Sequence, residues 1–203
     1  MVCKNGEIKI LKRKKERLSM KKLVLVSLLL FVFSNTLSYL GEKVLWAAQE
    51  GRLSKLKDYL KQGGDANFIE ESTRLTPLME AAEQGFYLVC KELIVEPNCA
   101  KLNLQDDDGD TALIKAAREG EPRIVRLLIK SGAKIDIKNE EKRAALDEAK
   151  YEFKLVKKGN RKYRKLKKVI KFLEGQEALE KGQEAFQEKK QEPDNQDKKK
   201  LNS

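Results

Sequence analysis

Apolar residues recur at helical spacing in two short segments between residues 107 and 136, and three glycines, Gly109, Gly120 and Gly132, punctuate them. An apolar position every three or four residues places these side chains on one face of a helix. The pattern therefore predicts two short helices joined by a turn at Gly120. A pair this short cannot bury its own apolar faces, so we expect similar pairs elsewhere along the chain.

The chain does repeat this pattern. The doublet Ala116-Ala117 recurs as Ala81-Ala82, thirty-five residues earlier, and as Ala47-Ala48, another thirty-four residues earlier. A glycine follows each doublet at the same offset, at positions 120, 85 and 51. A weaker fourth copy, AALDEA, places Ala149 thirty-three residues after Ala116. We number these copies 1 to 4 along the chain.

The period and the phrase TPLMEAAEQG, from Thr76 to Gly85, resemble the ankyrin repeat. That family has a Thr-Pro-Leu-His first helix, a glycine turn, an apolar second helix and a Gly-Ala ending. The resemblance implies an all-α solenoid of stacked helix-turn-helix pairs with hairpin-like loops over residues 43–173, with copy 4 as a degenerate C-terminal cap. The sequence departs from the family at the usual histidine, where Met79, Ile114 and Asp147 occur. This departure predicts looser hydrogen bonding between repeats and more reliance on apolar stacking.

Helix boundaries follow from local signals. Thr76 before Pro77 predicts an N-cap and a first helical residue. The second helix of copy 4 is expected from about Asn160 to Leu173, and residues 174–203 are expected to be a charged, largely disordered tail after a fraying helical stretch. The apolar stripes predicted to face inward are Leu45, Leu56, Tyr59 and Leu60 in copy 1, Val89, Cys90, Leu93 and Ile94 in copy 2, and Tyr163, Leu166, Val169, Ile170 and Leu173 in copy 4.

Residues 1–38 form a basic preface followed by an apolar run from Leu23 to Phe33. Such a run has the length of a secretory signal core and is short for a membrane span. We therefore expect export, periplasmic or secreted, with Thr36 and Ser38 before a cleavage site at Tyr39. Alternatives are an uncleaved anchor that still places the repeats outside the cytoplasm, and a buried helix of a cytosolic protein. Translation from Met20 is the simplest account of the basic preface.

Charge varies along the chain more than its net value of +11 suggests. Residues 1–38 carry +7, residues 39–139 carry −2, residues 140–173 carry +8 and the remainder carries −2. Histidine is absent, which removes the commonest general base and transition-metal ligand. Three cysteines lack zinc or redox spacing. Cys90 is expected to be a buried free thiol, because pairing with Cys99 requires the helix to fray. The sequence thus predicts no enzyme, no metal and no cofactor.

The resemblance implies that partners contact the concave face of the first helices and the loop tips. Trp46 is the most distinctive residue, either an anchor for a partner or a cover for the open edge of copy 1. Phe86 and Tyr87 are expected either to contact a partner or to pack within the protein. The charged positions are expected either to contact a partner or to form a solvated face. The predicted partner-binding set is Trp46, Gln49, Glu50, Arg74, Glu80, Glu83, Phe86, Tyr87, Asp107, Asp110, Lys115 and Arg118.

A basic stretch in the copy 4 cap is either a solvated outer face of the capping helix or a candidate site for an acidic partner or for anionic surfaces such as lipid headgroups. Its residues are Arg161, Lys162, Arg164, Lys165, Lys167 and Lys168. Nucleic acid is not expected, since exported proteins seldom meet it. The sequence therefore predicts an exported, non-catalytic protein-protein interaction module acting as a scaffold, inhibitor or protective partner. The alternatives are a membrane-anchored envelope adaptor and a secreted effector.

Overall fold

A computed structural model describes residues 38–95 and 97–191, with the side chains of 184–191 excepted. The leader and its signal or anchor therefore lie outside the described residues, as do residues 192–203. The described part of the chain is helical and contains no strand. Its helices are α1 (38–49), α2 (Leu53–Lys61), α3 (Pro77–Glu83), α4 (Tyr87–Ile94), α5 (Ala112–Arg118), α6 (Pro122–Lys130), α7 (Ala145–Leu155) and α8 (Arg161–Gln191).

These helices form four stacked hairpins with one apolar core. The first helices α3, α5 and α7 pack side by side as an inner row, and the second helices α2, α4, α6 and α8 form an outer row. The three alanine doublets are fully buried, and so is Ala149. Small side chains at these positions let neighbouring helices approach closely. The predicted solenoid and its continuous alanine spine are confirmed.

Local signals set the helix starts as predicted. The Thr76 hydroxyl accepts a hydrogen bond from Met79 N at 3.3 Å, and Pro77 is the first helical residue. Thr111 caps α5 in the same way through Ile114 N. Asp147, which occupies the family's histidine position in copy 4, accepts a hydrogen bond from Ala144 N at 3.2 Å. These caps satisfy amide groups that a helix start leaves without partners.

Consecutive loops are hydrogen-bonded to each other without a histidine. Asn67 Oδ1 accepts from Lys101 N at 2.6 Å, and Asn103 Oδ1 accepts from Lys134 N at 3.0 Å. Two backbone hydrogen bonds also join these loops: Asp107 N donates to Thr73 O, and Glu140 N donates to Asp108 O. The loops between repeats are therefore tied together by loop asparagines and backbone groups.

The last helix is longer than the sequence indicated. The predicted end near Leu173 is wrong, because α8 continues to Gln191, a length of about 46 Å at the usual helical rise. Glu, Gln, Lys and Ala dominate this extension and favour helix. Ion pairs support it, with Lys150 bound to Glu174 at 3.0 Å and Glu177 to Lys181 at 3.9 Å. Leu166, Val169 and Leu173 are buried as predicted. No helix among the described residues is long and apolar enough to span a membrane.

In copies 1 to 3, the glycine between the two helices contacts a side chain of the next hairpin. Gly51 has a φ of +66° and lies against the Phe86 ring, while Gly120 lies against Leu166. A Cβ on Gly51 would be 2.7 Å from Phe86 Cε1, whereas Gly63, with a φ of +93°, has nothing within 4 Å of such a Cβ. The glycine turns therefore serve both backbone conformation and stacking.

We expect Gly51→Ala to lower the free energy of unfolding by about 1 kcal/mol more than Gly63→Ala does. Both substitutions place an alanine at positive φ, which costs about 1–2 kcal/mol, but only Gly51→Ala also displaces the Phe86 ring. Urea unfolding followed by circular dichroism measures the difference. Equal losses for the two variants would show that Phe86 does not depend on close approach to Gly51.

Candidate partner-binding face

Two columns of side chains run along the inner row of helices. The first column contains Trp46, Glu80, Lys115 and Glu148, and the second contains Gln49, Glu83, Arg118 and Tyr151. Each member lies on the first helix of its copy, immediately before or after the position of the alanine doublet. These columns include most of the residues that the sequence predicted for partner contact.

Lys115 is held inside the stack by carboxylates from two neighbouring segments. Its Nζ lies 2.9 Å from Asp106 Oδ2 and 3.4 Å from Glu83 Oε2, and its side chain is only 7% exposed. Burial acts to lower the pKa of Lys115, but the hydrogen bond to Asp106 and the charges of Glu83, Asp106 and Asp110 outweigh it and raise the pKa above 10.5. Lys115 therefore remains a cation that joins copy 2 to copy 3.

Arg118 connects copy 3 to copy 4 through two buried carboxylates. Its Nη1 lies 2.5 Å from Asp110 Oδ2, and its Nη2 lies 2.5 Å from Glu148 Oε1. Arg143 Nε binds Glu148 Oε2 at 2.7 Å. Asn139 Nδ2 donates to both Asp110 Oδ1 and Glu148 Oε1, at 3.0 and 3.2 Å. Residues from copies 3 and 4 thus form one network of ion pairs and hydrogen bonds.

The same network sets the protonation of Glu148. Burial acts to raise the pKa of Glu148, but hydrogen bonds from Arg143 and Arg118, together with their charges, outweigh it and hold the pKa below its ordinary value of 4.5. The pKa of Arg118 is raised because the same partners outweigh the effect of its burial. Glu148 and Arg118 are therefore charged at neutral pH.

Three predicted partner-binding residues are not exposed as expected. Asp110 is completely buried, and Glu80 and Lys115 are 7% and 6% exposed. The expectation of an exposed position is wrong for these three. Glu80 is buried without an ion pair to any described residue, whereas carboxylates and cations of neighbouring copies neutralise Lys115 and Asp110 within the stack. Arg118 and Glu83 are half-buried for the same reason. Ion pairs within the protein thus involve Glu83 of copy 2, Lys115 and Arg118 of copy 3 and Glu148 of copy 4 on the inner row.

Phe86 and Tyr87 are both half-buried in packing contacts. Phe86 covers Gly51, and Tyr87 lies beneath the guanidinium of Arg123, whose Cζ is 4.3 Å from the ring centroid. At the loop tips, Arg74 and Asp107 are exposed and 3.9 Å apart. Gln49 and Glu50 are also exposed, at the end of α1. Of the predicted set, Trp46, Gln49, Glu50, Arg74 and Asp107 therefore remain accessible.

An open groove of about 490 Å³ lies between α1 and the first loop. Glu42, Trp46 and Gln49 line it from α1, and Ile69, Glu70 and Glu71 line it from the loop. We call these six residues the N-terminal groove. Phe68 packs directly over Gly41, so the absence of a side chain at Gly41 lets the loop close against the helix. Trp46 is 39% exposed, with the Arg52 guanidinium 5.1 Å from its ring.

The basic stretch of the cap divides into paired and unpaired cations. Lys162 binds Glu119 at 3.0 Å and Glu152 at 3.4 Å, and Lys165 binds Glu121. The remaining members of the predicted anionic-surface set are exposed and make no ion pair with any described residue. They are Arg161, Arg164, Lys167 and Lys168. Lys168 also lines a groove of about 400 Å³ with Arg126, Lys171 and Leu179.

Cys90 is a buried free thiol, as predicted, and Cys99 is free and exposed. Burial raises the pKa of Cys90 to about 12. Among the described residues, no group of side chains is arranged to hold a metal ion.

Glu148 and Glu80 predict opposite effects of pH on stability. The lowered pKa of Glu148 means that its stabilisation is present above pH 4.5 and is lost as the pH falls through the lower folded-state value. Burial, with Glu83 and Glu70 nearby, raises the pKa of Glu80 despite Lys115, so its contribution is lost as the pH rises above 4.5. Urea unfolding across pH 3–7 measures the free energy of unfolding. Compared with wild type, Glu148→Gln is expected to lose less stability as the pH falls, and Glu80→Gln is expected to be more stable at neutral pH. The same pH profile in both variants would contradict this assignment.

Comparison with known protein families gives a match over the copies described above. Residues 44–139 match the family model described as ankyrin repeats in three copies. The matched range begins within α1 and ends in the loop before α7.

Proposed function

Residues 44–139 of this chain are an array of three ankyrin repeats, and we propose that the N-terminal groove is where this protein-protein interaction module binds its partner. Ankyrin repeats indicate such a module. The proposal adds that the module is exported and non-catalytic, and that it acts as a scaffold, inhibitor or protective partner. Export is supported by the apolar run from Leu23 to Phe33 after a basic preface.

The binding site is placed at the N-terminal groove because the inner-row residues of copy 1 differ from those of copies 3 and 4. Ion pairs within the stack occupy Lys115, Arg118 and Glu148. In the N-terminal groove, Trp46 is partly exposed beside Gln49. Tryptophan is enriched among residues that contribute most to binding, because a large rigid side chain loses little entropy on contact. The groove therefore offers an aromatic anchor at one end of the stack, while Tyr151, 47% exposed beneath the Arg143 guanidinium, is the exposed aromatic residue of the columns at the other end.

Trp46→Ala is expected to reduce recovery of the partner in affinity capture from the envelope of the producing cell. A central aromatic anchor contributes about 2 kcal/mol or more, equivalent to a loss of affinity of roughly thirtyfold. Leu88→Ala is a matched control, because Leu88 is 61% exposed on the outer row. Circular dichroism checks that both variants are folded. Equal recovery with Trp46→Ala and wild type would remove Trp46 from the binding surface.

A second candidate function is an envelope adaptor held to the membrane by an uncleaved leader and the cap. The exposed cations Arg161, Arg164, Lys167 and Lys168 of α8 favour it, since each basic residue near an anionic bilayer contributes about 1 kcal/mol. Membrane fractionation with a salt wash and N-terminal sequencing separate the two candidates. A mature start at Tyr39 with a soluble product would exclude the anchored adaptor. Detection of the protein outside the producing cell would favour a secreted effector instead.

A further inference from the structure

The carboxylates that join copies 2, 3 and 4 are ion-paired, whereas those that line the N-terminal groove are not. Asp106, Asp110 and Glu148 each bind a lysine or arginine. Glu42, Glu70 and Glu71 line the N-terminal groove and make no ion pair with any described residue, and no lysine or arginine among the described residues lines it. The groove therefore carries three carboxylates without an ion pair beside the Trp46 ring, and the Arg52 guanidinium lies 5.1 Å from the centroid of that ring.

Glu80 is a further carboxylate near this end of the inner row. It follows Trp46 in the first column of the inner row, and it is 93% buried, being 7% exposed. Its side chain makes no hydrogen bond or ion pair with any described residue. Burial, Glu83 and Glu70 raise the pKa of Glu80, with Lys115 acting in the opposite direction. Burial and the charges of two neighbouring glutamates thus disfavour the charged form of Glu80.

We propose that the N-terminal groove binds a cationic segment of its partner, with a lysine or arginine side chain beside Glu70 and Glu71 and an adjacent apolar side chain on Trp46 and Ile69. This inference rests on the proposed function and specifies the chemistry of the partner at the same site. Charge complementarity selects the cation, and the exposed ring of Trp46 with the 39% exposed side chain of Ile69 selects the apolar neighbour.

The experiment uses Trp46 as its own reporter, because the chain has a single tryptophan. The full chain is titrated with a short blocked peptide in which lysines flank one leucine, and with the same peptide carrying glutamates or serines in place of the lysines. Tryptophan emission and acrylamide quenching are recorded. The lysine peptide is expected to shift the emission to shorter wavelength, to protect Trp46 from quenching, and to bind more weakly as salt is added.

The double variant Glu70→Gln/Glu71→Gln is expected to weaken the lysine peptide about fivefold to tenfold, at up to about 1 kcal/mol for each exposed charge. Glu140→Gln/Glu141→Gln removes the same charge from the exposed loop of copy 4 and is expected to leave binding unchanged. Equal binding of all three peptides, or equal losses in the two double variants, would overturn the cationic assignment.

The two levels of the proposal fail in different ways. If the lysine peptide leaves Trp46 unaffected while Trp46→Ala still loses the captured partner, the groove is the binding site but the partner segment is not cationic. If neither experiment depends on Trp46, both the site and its chemistry are wrong.

Discussion

Arg118→Met is expected to lower the free energy of unfolding by about 3–5 kcal/mol, the range found when one member of a buried ion pair is removed. The substitution leaves Asp110, with no exposed side-chain surface, and Glu148, at 1% exposure, without the guanidinium that joins them. Asn139 and Arg143 still bind these carboxylates, but Asp110 Oδ2 loses its cation. Urea unfolding by circular dichroism measures the loss.

Two controls distinguish this network from an ordinary surface pair. Lys57→Met breaks the pair between Lys57 and Glu92, whose side chains are 45% and 32% exposed, and is expected to cost at most about 1 kcal/mol. Asp110→Asn in the Arg118→Met background removes the stranded charge and is expected to restore part of the loss. A cost for Arg118→Met no larger than that for Lys57→Met would show that the network contributes little to joining copies 3 and 4.

Leu128→Ala is the second substitution with a large expected effect. Leu128 is fully buried on α6 and belongs to the core shared by neighbouring hairpins. Truncating a buried leucine removes apolar contact and leaves a cavity, at a cost of about 2–5 kcal/mol. In a stack where each repeat contacts only its neighbours, such a defect weakens the contacts of copy 3 with copies on either side. Urea unfolding is again the measurement.

Leu155→Ala is the matched control, because Leu155 is 63% exposed on α7. Its truncation is expected to change stability by less than about 0.5 kcal/mol. Comparable losses in the two variants would contradict a core that runs continuously through the stack.

The fold was predictable because its signals are local and repeated. Apolar spacing, turn glycines and the alanine doublets recur at a nearly fixed period, and Thr76 before Pro77 marks a helix start by chemistry that lies within a few residues. The full length of α8 is harder to predict, because a charged, low-complexity stretch of high helix propensity also resembles a disordered tail, so the sequence predicts only a fraying helical stretch after Leu173. Its pairs Lys150–Glu174 and Glu177–Lys181 stabilise the continuation.

The burial of the candidate site residues was harder to predict because their partners lie about one repeat away. Arg118 and Glu148 are thirty residues apart in sequence, and a solvated charge and a buried ion pair look the same in one copy. The alignment of copies nevertheless shows a signal, because the column positions carry glutamates in copy 2, cations in copy 3 and a glutamate again in copy 4. The pairs form across the two columns, between Glu83 and Lys115 and between Arg118 and Glu148. Trp46 and Gln49 carry no charge and cannot form such a pair, which is consistent with their remaining accessible.

The central claim is that the partner binds at the N-terminal groove of the stack. Site-specific photocrosslinking in the producing cell tests this claim most directly. A photoreactive phenylalanine analogue is placed at Gln49 or Glu71 in the groove, or at exposed Lys130 on the outer row as a control. We predict the same crosslinked partner from positions 49 and 71 and none from position 130. A crosslink from position 130 alone, or from none of the three positions, would contradict the account.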